Sequence, residues 1–445
     1  MSARSPRRVC VIGLDGTPYS LLQRMAAEGV MPHVADLLPR GSLRPMTSVH
    51  PWVSSVAWTT LMTGRNPAQH GIFGFVDRDP TTLKTFIPTA RHLRTETLWD
   101  ILSRVGRRVV VLNVPGTYPP RAVNGILVSD FLSPSLEKAV YPSTFLPLLK
   151  ELGYRLDTDP WLARASREEF LSDLHDALEK RARTFLHLLD TQPWDLFLGV
   201  IMETDRLHHF FFAPMEQGDP AYAPAFFDVY RRIDAFIGEV RRRLAGDATL
   251  ILLSDHGFCS IRREVYYNRW LYDAGYLRFR QAPPKDLSDL APESLAYCLD
   301  PGRIFINLKG REKEGRVAPG EEYERLRDRL AAEAEALRDP DTGARLVQRA
   351  YRREELYHGP FLAHAADLIL APANGYDPKG ALWKESLTHK DATMAGMHTY
   401  DDAMLYIGQE TLAEGTARLY DVMPTILTLM GLPAPNDLDG HSLLV

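Results

Sequence analysis

Cysteine is scarce in this 445-residue chain, with only Cys10, Cys259 and Cys298 present. A set so few, odd in number and widely scattered forms neither a disulfide framework nor a C-x-x-C metal motif. An excess of positive charge is missing too. Lys and Arg number 52 against 57 Asp and Glu, for a formal net charge of -5, so no global basic field points to nucleic acid. Local phosphate binding stays open, because a site needs a few groups rather than a charged surface. No apolar run reaches the roughly 20 residues of a transmembrane helix. The opening Met1-Ser-Ala-Arg-Ser-Pro-Arg-Arg8 is basic, but the apolar run behind it stops at Asp15, too soon for a signal peptide. Internal repeats and low-complexity segments are absent as well. These absences lead to the expectation of a cytoplasmic chain without a membrane partner.

What is present is an ordinary globular composition, 45% hydrophobic and 24% charged, enough to bury a large core. Short apolar runs recur at Val9–Leu14, Val109–Val114, Leu196–Met202, Ala248–Ser254, Arg303–Leu308, Asp367–Ala371 and Ala403–Ile407. Helical patterns lie between several of them. Over Tyr230–Leu244, for example, Ile233, Phe236, Ile237, Val240 and Leu244 share one face. Strands alternating with helices predict an α/β fold with a doubly wound, mostly parallel sheet and helices on both faces. Ligands of such sheets gather at the carboxyl ends of the strands. The spacing places the core over 1–270 and 376–445, with an inserted α/β subdomain over 271–375. Within that insert, 281–300 reads as a loop and Glu321–Leu337 as a charged helix with a solvated face.

Fourteen histidines occur, and histidine is the commonest metal ligand. Asp205 and His209 stand at i and i+4, one helical turn apart on the same face, so both can reach one metal. His208 is rotated by about 100° from His209 and does not join them. Asp255-His256-Gly257 closes an apolar run, and Gly257 gives the turn the freedom to bring both side chains together. Asp15 closes another run. His398 follows the small, flexible Ala395-Gly396-Met397. Oxygen and imidazole nitrogen together suit zinc first, with manganese or iron also admitted, rather than calcium. The candidate nucleophile is Ser54, read as the N-cap of a helix over Ser55–Thr63 that Gly64 closes. Free N–H groups and the helix dipole there can hold an anion such as phosphate.

Together, Gly-Leu-Asp15-Gly, Ser54 ahead of Thr63-Gly64-Arg-Asn-Pro and His70-Gly71, Thr-Asp205-x-x-x-His209, Ser-Asp255-His256-Gly-Phe and Gly-x-His398 resemble the alkaline phosphatase superfamily. More narrowly they resemble its type I phosphodiesterase/nucleotide pyrophosphatase branch, prokaryotic phosphohydrolase and phosphomutase members above all. Asn113-Val-Pro-Gly-Thr-Tyr-Pro-Pro120 and the closing Asp421-Val-Met-Pro to Gly440 segment fit the same branch. The resemblance implies an alkaline-phosphatase-like fold and two divalent metal ions. One ion would use Asp205, His209 and His398; the other would use Asp15, Asp255 and His256, with Ser54 bound as nucleophile. It implies hydrolysis of a phosphodiester or pyrophosphate in a small phosphate-ester or nucleotide-like substrate, through a covalent phospho-serine. Monoester hydrolysis and phosphomutase or phosphotransferase chemistry share the same core and remain alternatives. A catalytically silent metal-binding relative is the non-enzyme alternative, marked by lost ligands, and none of the six is lost.

Two departures carry weight. Eukaryotic nucleotide pyrophosphatases commonly have Thr as nucleophile and Asn three positions on; here those positions are Ser54 and Ala57. Ala57 offers no donor, so the contact it would have made falls to the Ser55 N–H or to Asn113, or is absent. The sulfatase motif needs Pro and Arg after its Cys or Ser, and Ser54-Ser-Val-Ala-Trp58 has neither. Sulfatase chemistry is thereby disfavoured.

Overall fold

A computed structural model describes residues 7–244, 246, 248–391 and 393–445. Residues 1–6, most of the basic opening segment, lie outside the described residues. Contacts divide the chain into two compact units. The first comprises Met1–Asn66, Thr89–Cys259 and Thr393–Val445; the second comprises Pro67–Pro88 and Ser260–Ala392.

The first unit is built on a nine-stranded sheet. Its strands are β1 (Arg8–Leu14), β2 (Gly41–Thr47), β3 (Val109–Val114), β4 (Gly125–Ser129), β5 (Val140–Tyr141), β6 (Leu196–Ile201), β7 (Ala248–Leu253), β8 (Ala403–Gly408) and β9 (Ala417–Arg418). They lie in the order β9-β2-β8-β7-β1-β6-β3-β4-β5. The central run from β7 to β4 is parallel throughout. Antiparallel strands flank it, β8 against β7 on one side and β5 against β4 on the other. This is the α/β architecture expected from the alternation of apolar runs.

Period-two alternation explains why those runs are continuously apolar. In β1, Cys10, Ile12 and Leu14 enter one hydrophobic cluster, while Val9 and Val11 enter the cluster on the opposite face. Both faces are covered from Val9 to Leu14, so those positions of β1 are apolar and only Arg8, at its half-buried start, is charged. Helices α2 (Arg167–Thr191), α3 (Glu203–Glu216) and α4 (Tyr222–Arg243) supply the first cluster. The predicted face of α4 is buried at Ile233, Phe236, Ile237 and Val240. Phe210, Phe211 and Phe212 pack there too, with Phe170 edge-on to Phe210 at 4.9 Å between ring centroids. Helices α1 (Ser54–Thr63) and α5 (Val422–Leu429) supply the second cluster through Val56, Trp58, Leu61, Ile426 and Leu427.

Two of the apolar runs, over Arg303–Ile306 and Leu368–Pro372, belong instead to a four-stranded antiparallel sheet in the second unit. A short apolar run shows that a strand is buried and not which sheet buries it. The expected loop over 281–300 ends in a strand, Ala296–Leu299, which the antiparallel partner Arg303–Ile306 organises. The charged helix forms over Glu321–Ala336, but Arg327 on it is buried and paired with Glu324 and Glu354. Its charge pattern alone did not show those partners. Among the described residues no helix is long and apolar enough to cross a membrane.

Candidate metal centre

Strand register delivers the candidate ligands to one edge of the sheet. Leu14 lies opposite Ile201, and Gly13 opposite Leu253. Three parallel strands in register end together, so Asp15, the start of α3 and Asp255 leave the sheet side by side. Helix α3 then carries Asp205 and His209 on one face. His398 arrives on the strand Gly396–Thr399, tied to α3 where the Ala395 N–H donates to His209 O at 2.7 Å. A Cβ at Gly396 would stand 2.4 Å from His208 O, so only glycine permits that approach.

Two groups of side chains converge there. In one, His398 Nε2 is 3.1 Å from Asp205 Oδ1 and 3.1 Å from His209 Nε2, and His209 Nε2 is 3.4 Å from Asp205 Oδ1. In the other, ligand atoms of Asp15, Asp205 and His256 all lie within 4.8 Å of one another. Asp205 is therefore in reach of both groups. Asp255 Oδ2 lies 3.5 Å from His256 Nε2 and makes no hydrogen bond among the described residues; its Oδ1 accepts from the Gly16 N–H at 3.2 Å. Ser54 Oγ sits between Asp15 Oδ1 and His256 Nε2, 3.4 Å from each.

The imidazoles are oriented by backbone. Nδ1 of His209 faces Gly396 O at 3.2 Å, Nδ1 of His398 faces Trp52 O at 3.2 Å, and Nδ1 of His256 faces Gly257 O at 3.0 Å. A carbonyl only accepts, so each Nδ1 carries the proton and each Nε2 presents a lone pair to the centre. Lone pairs of nitrogen and carboxylate oxygen facing one another repel unless a cation lies among them. A donor set of this kind fits a transition metal ion.

Burial sharpens the same imbalance. It raises the Asp15 carboxyl well above its ordinary range, helped by the nearby charges of Asp255 and Asp205. It pushes Asp255 up to about 8, against the Gly16 N–H that favours the anion. It pushes His256 down to about 4, with His398 adding to the effect. Burial opposes the Asp205 anion too, but His209, His398 and the Arg206 guanidinium outweigh it and hold that carboxyl well below the usual range. Of the three carboxylates, only Asp205 is ion-paired with an arginine among the described residues.

Helix α1 begins at Ser54 rather than at Ser55. Val53 is the N-cap, with extended φ -121° and ψ 145°, and its carbonyl accepts from both the Val56 and Ala57 N–H groups at 2.9 Å. Ser54 thus occupies the first turn, where its own N–H and that of Ser55 have no acceptor within the helix. Ala57 is buried in the apolar cluster. Asn113 has φ 61° and donates its side-chain amide to Val200 O at 3.3 Å, so that donor is engaged. His208 joins neither group. Its Nδ1 meets Gly16 O at 3.2 Å and its Nε2 meets Tyr230 Oη at 2.8 Å, and burial pushes it down to about 3, which keeps it neutral.

Sequence reasoning missed two contributors. The Trp58 indole N–H donates to Asp15 Oδ2 at 2.7 Å. Arg206 Nη1 donates to Asp205 Oδ2 at 3.1 Å, while its other nitrogens hold Asp157. A signal for the first existed in Gly13, because a lone glycine inside a strand marks a close approach; a Cβ there would meet Trp58 Cη2 at 2.4 Å. Past the Asp255-His256 turn the chain carries Arg262, Arg263 and Asn268. Arg263 pairs with Asp341 at 2.5 Å, and Asn268 bonds the backbone of Cys298 through both amide atoms.

The sequence model of the family "Type I phosphodiesterase / nucleotide pyrophosphatase" matches residues 9–401. No curated protein matches the chain by sequence. Among solved structures, phosphonoacetate hydrolase from Sinorhizobium meliloti, in complex with phosphonoformate, superposes with a TM-score of 0.65 at 17% identity over 96% of both chains. Murine ectonucleotide pyrophosphatase/phosphodiesterase 5 gives 0.59 at 17% identity, covering 99% of this chain and 100% of its own. An inactive form of that murine protein in complex with AMP gives 0.58 at 16% identity over the same shares. The chain belongs to the type I phosphodiesterase/nucleotide pyrophosphatase family, whose members are metal-dependent hydrolases of phosphoric esters.

Proposed function

We propose that this family member hydrolyses a phosphodiester or pyrophosphate bond in a small, nucleotide-like substrate, with Ser54 as nucleophile and a phospho-serine intermediate. The observation that carries the reading is the convergence of proton-free Nε2 atoms and carboxylate oxygens in two groups that share Asp205, with Ser54 Oγ 3.4 Å from Asp15 Oδ1 and from His256 Nε2 in one of them. Asp205, His209 and His398 would hold one divalent ion; Asp15, Asp255 and His256, with Ser54, would hold the other. Zinc is the first candidate for both, ahead of manganese and iron. Bound there, such ions lower the pKa of a serine hydroxyl and offset phosphoryl charge.

The chain's own part can be followed atom by atom. Ser54 Oγ attacks phosphorus and its bond to the leaving oxygen breaks, so the phosphoryl group moves to Ser54 and the alcohol or phosphate half departs. Ser54 lies in the first turn of α1, where the Ser54 and Ser55 N–H groups and the helix dipole favour a phosphoryl oxygen. Position 57 is alanine, so the contact that Asn makes in relatives would fall to these N–H groups. Water then displaces Ser54 from phosphorus and restores the hydroxyl. AMP in the murine neighbour supports a nucleotide-like substrate. A cytoplasmic location fits a chain with only three, widely scattered cysteines.

The test is turnover of a bis-aryl phosphodiester beside the matching monoester. Chelation should abolish diester turnover, and Zn²⁺ or Mn²⁺ should restore it. Ser54→Ala should lower kcat by about a thousandfold or more. Full turnover by that variant overturns the nucleophile, and a strong monoester preference overturns the diester.

A further inference from the structure

Each carboxylate central to the two groups has one oxygen turned away from the centre and held there. For Asp205 the holder is Arg206, a cation that it shares with Asp157. For Asp15 the holder is Trp58, a neutral donor with nothing to accept and no proton to lose near neutral pH. Trp58 is fully buried and lies one turn after Ser54 on α1, so the two side chains share the helix face turned toward Asp15. The fit is tight, because the strand beside it has glycine at position 13, where any Cβ would collide with the indole. With Oδ2 bonded at 2.7 Å, only Oδ1 of Asp15 faces Ser54 Oγ at 3.4 Å and His256 Nε2 at 3.6 Å. The indole fixes the carboxylate without subtracting from its charge. Asp255 adds a second carboxylate to the same half. The Asp205 half has one carboxylate and a guanidinium against it.

We propose that Trp58 is a positioning residue: it makes Asp15 a single-oxygen ligand and makes the Asp15, Asp255 and His256 half of the centre the tighter divalent-cation site. The inference rests on the two-cation reading of the centre. A cation bound between two carboxylates that have no direct arginine partner gains more Coulomb energy than one beside a carboxylate already paired with arginine. Orienting partners of this kind are worth about 10- to 100-fold in metal affinity.

The test titrates metal-free protein with Zn²⁺ against a competing chelator. Wild type should bind in two steps. Trp58→Phe keeps the ring and removes the donor, so it should weaken the tighter step by about 10- to 100-fold and leave the weaker one in place. Two wild-type steps with the tighter one intact in Trp58→Phe overturn this inference alone, as does equal weakening of both, which marks a merely structural role. Wild type binding fewer than two ions overturns the two-cation reading and this inference with it. A second measurement needs no variant. The ¹⁵N-labelled indole N–H resonance of Trp58 should move with the first equivalent of Zn²⁺; movement only with the second, or none, overturns the assignment.

Discussion

Buried charge is handled in opposite ways in the two units. In the second unit, Asp367 is fully buried and accepts from Arg311 at 2.8 and 2.6 Å, from Tyr323 Oη at 2.8 Å and from Arg353 at 3.3 Å. Nearby, Glu312 takes Arg78 at 2.8 Å and Tyr297 Oη at 3.0 Å. Every carboxylate oxygen there has a donor, and burial's upward push on Asp367 is outweighed by Arg311, which keeps its carboxyl low. In the first unit, Asp15, Asp255 and His256 are just as buried but face other acceptors. Matched burial is architecture, since removing one partner strands the other. Unmatched burial is a deficit that only a ligand fills. The amount of buried charge does not separate the two; the count of donors does.

Three substitutions probe that contrast, in falling order of effect. Asp205→Asn should cost the most, because Asp205 reaches both ligand groups. We expect turnover to drop by about a thousandfold or more and cation binding to weaken, while the metal-free protein unfolds at nearly the wild-type temperature. Wild-type turnover from this variant would break the comparison on its functional side. Asp367→Ala should do the reverse. It removes the carboxylate that Arg311 and Arg353 share and leaves them only Glu312 and Glu354, so thermal or denaturant unfolding should show a loss of about 3–5 kcal/mol, with the folded fraction still binding cations in the wild-type ratio. A loss below about 1 kcal/mol would show that the network is not charge-matched in the way its distances indicate.

His70 tests the comparison with a third kind of burial, a neutral titratable group. It is fully buried in the second unit, accepts from the Ile72 N–H at 3.2 Å, and burial pushes it down to about 3. Its folded pKa lies below the unfolded value of about 6.5. The unfolded chain therefore binds the extra proton first, so the stabilisation is complete above pH ~6.5 and is lost as pH falls toward 3. Between pH ~6.5 and ~5 the loss amounts to about 2 kcal/mol. Urea unfolding across that window should show a shallower slope for His70→Gln, and identical slopes would remove His70 from the account.

Much of the site was readable residue by residue. Asp205 and His209 follow from a helical interval, and Asp15 and Asp255 from their places at the ends of apolar runs. What an interval cannot show is which acceptors end up facing one another. That Asp205 reaches both groups depends on the register of β1 against β6 and on where His398 returns some 190 residues later. Trp58 looked like ordinary apolar filling of a helix, because an indole's N–H direction is set by packing against Gly13. Helix α1 began one residue early for a similar reason: a serine suits an N-cap on propensity, but the extended backbone of Val53 put the cap there.

The amino-acid sequence by itself determined the α/β alternation, the strand ends and the kinds of atom available for a metal, since these depend on periodicity and on side-chain chemistry alone. Tertiary structure decided the rest. It sorted Arg303–Ile306 and Leu368–Pro372 into a separate sheet, put Nδ1–H of three histidines on backbone carbonyls, and turned one oxygen of Asp15 and of Asp205 outward. Each of those outcomes is a distance between residues far apart in the chain, and only the packed fold assigns such distances.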